Sequence, residues 1–279
     1  RPEKETHEVH PALQQTSQTR KVEILQYVTP NHYLINCYRP LDPKDEVGPT
    51  SDHFIQSTAG ARLALTDAPC GAGAAALAFL STLAELRSAG VLPRMPLNVS
   101  FVGGEFSQHA EDHARALFLA TIDTLEQQAI FVDPIFKHWN VMDQISTTDL
   151  VKACLDHGED CPAKLLVIAN FNGLLVKDRR QSNAEPQLNE LIRYASGEGS
   201  LAVWIEPEMN RAMRGGGLFS WLTGLFEKKW RDFGRALTPD AVSEPAYTSE
   251  AKFQLPLQPE RTARVTLAIL PIDLSRSAK

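Results

Sequence analysis

From residue 61 the chain alternates short apolar runs with longer stretches of helical periodicity. Residues 61–66 (ARLALT), 97–102 (LNVSFV), 135–142 (IFKHWNVM), 164–171 (KLLVIANF) and 200–205 (SLAVWI) read as strands. The fourth and fifth are near-continuous in apolar character, as strands covered on both faces are. Between them, residues 74–89, 108–129, 147–156 and 186–196 carry helical patterns, the first rich in Ala and Leu and stopped before Gly90. Strictly alternating strands and helices imply a parallel sheet with helices on both faces. Residues 217–236 form a further amphipathic helix. Its stripe (Leu218, Phe219, Trp221, Leu222, Leu225, Phe226, Trp230) reads as a core face rather than a membrane surface. The pattern then changes: 251–257 and 263–270 read as two strands joined by the polar turn Gln258–Thr262, an antiparallel hairpin at the sheet's end. The expected fold is therefore α/β, a mostly parallel seven-stranded sheet closed by a C-terminal antiparallel hairpin.

The first 54 residues break this rhythm. Residues 1–20 are polar, 21–36 hold a short apolar-periodic segment broken at Pro30, and 37–52 carry Pro40, Pro43, Gly48, Pro49 and several acids. They read as an N-terminal extension, a lid or an arm for docking a protein partner, with the main domain over 55–279. A chain of 279 residues with 43% hydrophobic and 22% charged positions suits a globular domain with a sizeable core. The net charge of −6 argues against unaided tight binding to nucleic acid, although a local patch around Lys177, Arg179 and Arg180 leaves RNA open. Cys37, Cys70, Cys154 and Cys161 are scattered and form no disulfide framework. With no leader-like segment and no apolar run near 20 residues, the expectation is a cytoplasmic protein without a membrane span. Cys154, His157 and Cys161 lack the fourth ligand of a zinc site, so no metal is expected.

Candidate chemistry gathers just after the strands. Asp67 ends the first strand and is followed by Ala68, Pro69, Cys70, Gly71, Ala72 and Gly73 before an Ala-rich helix. Gly71 and Gly73 permit a tight turn and close approach of a ligand to the backbone. The helix start offers free N–H groups. Gly-x-Gly-x-x-Ala alone also fits a dinucleotide fingerprint. Asp67 separates the two readings, because an acid beside a pyrophosphate repels it while an acid beside an ammonium group attracts it. The second strand leads into Gly103-Gly104-Glu105-Phe106-Ser107, where Glu105 is placed to accept from both hydroxyls of a ribose. The interval from the glycines to Glu105 exceeds the usual ~20 residues, and the Pro93–Pro96 loop accounts for the excess. The third strand leads into Trp139-Asn140-Val141-Met142-Asp143; Asp143 could accept from an adenine amino group, and Trp139 or Met142 could pack on the purine.

An acid, three residues, Gly-x-Gly, then an acid after strand two and an Asp after strand three resembles the class I, Rossmann-like S-adenosylmethionine-dependent methyltransferases. The resemblance covers about residues 55–272. It implies S-adenosylmethionine as cofactor, with Asp67, Gly71 and Gly73, together with Ala68 and Pro69, at the methionine end. It likewise implies Glu105 at the ribose and Asp143 at the adenine, with Phe106 also binding the cofactor. In that family the end of strand four faces the methyl group and the acceptor. Here it reads Asn170-Phe171-Asn172-Gly173, without the two prolines that some nitrogen methyltransferases carry, so methylation of base amino groups is not supported. Asn170 could orient an acceptor and touch the cofactor, and Phe171 could stack on either. Glu206, in Glu206-Pro207-Glu208 after strand five, could serve as a general base. The acceptor, whether small molecule, protein or RNA, is not legible. Two rivals stand beside this reading: a catalytically silent methyltransferase-like subunit of a larger complex, and an NAD-binding oxidoreductase. His109 and His113, one helical turn apart, read as surface or packing residues, and Cys70 as a small packing residue.

Overall fold

The computed structural model describes residues 61–90, 92–177, 181–197, 199–207, 247–255 and 258–274. The expected N-terminal arm (1–54), the helix at 217–236 with its apolar stripe, Cys37, Arg179, Arg180 and Glu208 lie outside them. Five strands run parallel: β1 (Arg62–Asp67), β2 (Leu97–Glu105), β3 (Ile130–His138), β4 (Ala163–Ala169) and β5 (Leu201–Pro207). Their spatial order is β3-β2-β1-β4-β5. Beyond β5, β7 (Gln258–Asp273) pairs antiparallel with it, and β6 (Tyr247–Leu255) pairs antiparallel with β7.

The helices are α1 (Ala74–Ser88), α2 (Gln108–Glu126), α3 (Gln144–His157), α4 (Asn172–Lys177) and α5 (Gln181–Ala195). Strand residues alternate between two cores, as the two-residue period requires. Leu63, Leu65, Val99, Phe101, Leu165 and Val167 face α1 and α2. Val102, Leu166, Ile168, Ala202 and Trp204 face α3 and α5. The first core is built on an aromatic set in which Phe101 stacks on Phe118 at 4.4 Å and Phe136 stands edge-on to both.

Several boundaries differ from the sequence expectation. The third strand was expected at 135–142 but runs Ile130–His138, so Trp139 and Asn140 lie just beyond it. Asp133 and Pro134 masked its start; an edge strand tolerates a proline because one side of its ladder is unpaired. The helix expected to continue to 129 stops at Glu126, where Ala129 turns the chain with φ +56°. Buried Arg87 closes that turn by donating to the carbonyls of Gln128 and Ala129 at 2.7 and 3.0 Å. Helix α5 begins five residues before the expected 186, which puts exposed Pro186 in its second turn. Asp143 caps α3 by accepting from the Ile145 N–H at 2.9 Å, so that helix also starts earlier than 147.

Candidate active site

The strand order dictates where a ligand fits. The chain winds outward from β1 through β2 to β3, then crosses back to β4 and β5 on the other side. The reversal between β1 and β4 opens a crevice at their carboxyl ends. Asp67 ends β1 there, in register with Gly103 and Val167, and Asn170 follows β4.

The loop after β1 is sewn to both neighbours. The N–H of Ala68 donates to the Val167 carbonyl at 3.1 Å, and that of Cys70 to the Gly104 carbonyl at 2.8 Å. The Ala68–Pro69 bond is cis. Gly71 and Gly73 adopt φ +54° and +76°, a left-handed conformation that costs a side-chain-bearing residue energy. A Cβ on Gly73 would meet the Phe118 ring at 3.0 Å, so this glycine also sets how closely α1 lies against α2. The same economy of space continues in β2. A Cβ on Gly103 would meet Phe136 at 2.7 Å and Cys70 Sγ at 3.1 Å, and one on Gly104 would meet Leu150 at 2.9 Å. Cys70 is fully buried in this packing.

Glu105 joins the first two loops. One carboxylate oxygen accepts from the Gly71 N–H at 2.8 Å and the other from the Ser107 N–H at 2.9 Å. Each oxygen has two lone pairs, so each retains capacity for a further donor. The two oxygens thus form an acceptor pair open to neighbouring hydroxyl donors, while the glycine turn is already held in shape. The Gly71–Glu105 bond spans 34 residues, and no sequence spacing announced it.

Asp67 behaves differently from the sequence expectation. Its carboxylate is fully buried beneath the loop, with Oδ2 accepting from the Ala76 N–H of α1 at 3.3 Å. Being fully buried, the side chain meets a ligand in the crevice only through the loop, not by direct contact. Ala68 is likewise fully buried and Pro69 half-buried. Phe106 is 63% exposed, its ring 5.3 Å from that of His138. Asp143 is exposed with one oxygen used in the α3 cap, and Ile145 beside it is 73% exposed.

The aromatic residues expected to stack on a ligand form the wall instead. Trp139 is buried, its indole N–H donating to Thr147 Oγ1 at 3.0 Å. Phe171 is buried against it with ring centroids 5.9 Å apart. Phe106 is instead an exposed ring at this edge. Asn170 is exposed and left-handed at φ +52°, with its N–H donating to the Ile205 carbonyl at 2.8 Å. Glu206 is 2% exposed; its Oε1 accepts from the Phe171 N–H at 2.8 Å and from the Trp204 indole at 2.9 Å.

Other titratable groups are engaged elsewhere. Cys154 faces Thr66 in the second core, where burial pushes its thiol up from 9.0 to about 11. Burial raises the Tyr194 phenol and lowers the Lys164 ammonium nearby. His157 donates to the Asp133 carbonyl at 2.8 Å, and Cys161 Sγ lies 3.7 Å from Ser100 Oγ, so the Cys-His-Cys spacing converges on no common point. Among the described residues no group of three His, Cys, Asp or Glu is placed to hold a metal, and no helix is long and apolar enough to cross a membrane. His109 is exposed and His113 half-buried on α2. A cleft of about 460 Å³ opens at the amino ends of β1–β3, lined among others by Arg62, Asn98, His157 and Cys161. It lies at the opposite end of the sheet from the glycine loop, away from where parallel sheets bind ligands.

No family model and no curated protein matches the chain. Among solved structures it is similar to monomeric WbdD, with a TM-score of 0.33, 14% identity, and coverage of 78% of this chain and 38% of that one. It is also similar to the glycopeptide N-methyltransferase MtfA complexed with S-adenosyl-L-methionine, with a TM-score of 0.28, 12% identity, and coverage of 84% of this chain and 78% of that one. The sinefungin complex of MtfA gives 0.27, 11%, 84% and 78%. The chain thus spans well under half the length of WbdD, and none of these values transfers an activity to it.

Proposed function

We propose that the chain binds S-adenosylmethionine across the carboxyl ends of β1, β2 and β3 and transfers its methyl group to an acceptor at the end of β4. The observation that carries the reading is the Glu105 carboxylate, tied to the Gly71 and Ser107 N–H groups with acceptor capacity left on both oxygens. Support also comes from the Asp67 carboxyl beneath the glycine turn, which in its ionised form favours a ligand with an ammonium group over one with a pyrophosphate. That second point weighs against the NAD-dependent alternative.

When bound, S-adenosylmethionine supplies a methyl group activated on a sulfonium. The protein's part is binding and orientation. Gly71 and Ala72 let the methionine end approach the backbone, with Asp67 favouring its ammonium from below. Glu105 accepts from the ribose hydroxyls. Phe106 and Ile145 offer exposed apolar surface to the adenine, and the second oxygen of Asp143 accepts from its amino group. Asn170 presents its amide to the acceptor, holding the nucleophile in line and limiting water. The acceptor class stays open among small molecules, proteins and RNA.

Thermal unfolding with S-adenosylmethionine or NAD tests this directly. Binding to the folded state alone adds about 2.7 kcal/mol at a hundredfold excess over Kd. A rise in Tm with S-adenosylmethionine and none with NAD is expected. A rise with NAD alone would replace the methyltransferase reading with the oxidoreductase one.

A further inference from the structure

We infer that Glu206 is a positioning residue that latches the turn after β4, rather than the base that abstracts a proton from the acceptor. The inference deepens the proposed methyl-transfer site and rests on that reading for its link to the cofactor. A base must reach the acceptor, whereas Glu206 is 2% exposed, faces the core, and holds Oε1 between two N–H donors.

Both donors explain why a carboxylate stands there. Trp204 lies two residues earlier on β5, hence on the same face of the strand, and its buried indole needs an acceptor. Phe171 follows Asn170, which has turned left-handed, and precedes α4; its own carbonyl accepts from the Leu174 and Leu175 N–H groups. The Phe171 N–H is therefore a buried donor at a chain reversal, and Glu206 is its acceptor. The chain of contacts continues. Glu206 fixes Phe171, Phe171 packs on Trp139, and Trp139 donates to Thr147 in the first turn of α3, which Asp143 caps. One carboxylate thus ties the acceptor end of the crevice to the wall that would flank the adenine.

Two conservative variants separate reach from functional group. Glu206→Gln keeps the length and an oxygen acceptor but replaces the carboxyl with an amide. Glu206→Asp keeps the carboxyl but withdraws it by one bond, about 1.5 Å. Amide hydrogen exchange at Phe171 and S-adenosylmethionine affinity are measured in each, with the Gly71 amide as an internal control. Glu206→Gln is expected to retain protection at Phe171 and affinity. Glu206→Asp is expected to speed exchange at Phe171 by roughly tenfold or more, as loss of a buried hydrogen bond does, and to weaken binding, with Gly71 unchanged. Equal exchange at Phe171 in both variants, or a loss confined to Glu206→Gln, would overturn the latch. Wild-type protein that fails to bind S-adenosylmethionine would sink the cofactor reading, while the exchange comparison would still decide the latch.

Discussion

Glu105 carries two tasks at once, bracing the glycine turn through Gly71 and offering acceptor capacity to a ligand. Glu105→Ala removes both and is expected to weaken S-adenosylmethionine binding at least roughly tenfold, read by calorimetry on protein whose circular dichroism is unchanged. Gly103 carries a different task, leaving room for Phe136 and Cys70 behind the loop. Gly103→Ala is expected to cost about 2 kcal/mol through overpacking, measured by urea unfolding; a change under about 0.5 kcal/mol would mean that the Phe136 ring yields freely. At this scale the sequence was informative about residue types and poor about directions. Asp67 and Glu105 end β1 and β2 and Asn170 follows β4, as read, whereas Glu206, read as following strand five, lies within β5 and pairs with Ala268. Yet Asp67 and Glu206 turn inward, because their donors, the N–H groups of Ala76 and Phe171, are contributed by segments distant in sequence or by the next helix. Spacing carries no record of that choice.

At the scale of elements, the parallel strands were legible because each is a short apolar run bounded by Gly, Pro or polar residues. The ends of β3 and α5 were not, since Pro134 and Pro186 look like breaks and stand inside elements that accommodate them, an edge strand and an exposed helix face. The interface of β1, α3 and α5 has a titratable consequence. Cys154 in the folded protein keeps its proton up to about pH 11, while the unfolded chain releases it near 9.0. The stability this contributes is present below pH 9 and is lost as pH rises toward 11. Tyr194, also raised, acts in the same direction; Lys164, lowered, acts in the opposite one. Unfolding free energy is therefore expected to fall across this window in wild-type protein and to fall less steeply in Cys154→Ala. Equal slopes would show that the thiol does not titrate with folding.

At the scale of the whole molecule, the strand order makes a single crevice the natural ligand site, and the polar loops with Asp67, Glu105, Asp143 and Asn170 all border it. The net charge of −6 gives the chain as a whole no electrostatic attraction for a bare nucleic acid. The central claim is that this crevice holds S-adenosylmethionine, with Glu105 as a direct contact and the buried Asp67 carboxyl beneath the loop. Calorimetric titration of S-adenosylmethionine into wild-type, Glu105→Ala and Asp67→Ala proteins tests it most directly. Binding in the micromolar range by the wild type, weakened at least roughly tenfold in Glu105→Ala and also weakened in Asp67→Ala with both variants folded, is the predicted result. Absence of binding by the folded wild-type protein would contradict the account and point to a non-catalytic, partner-dependent role for the fold.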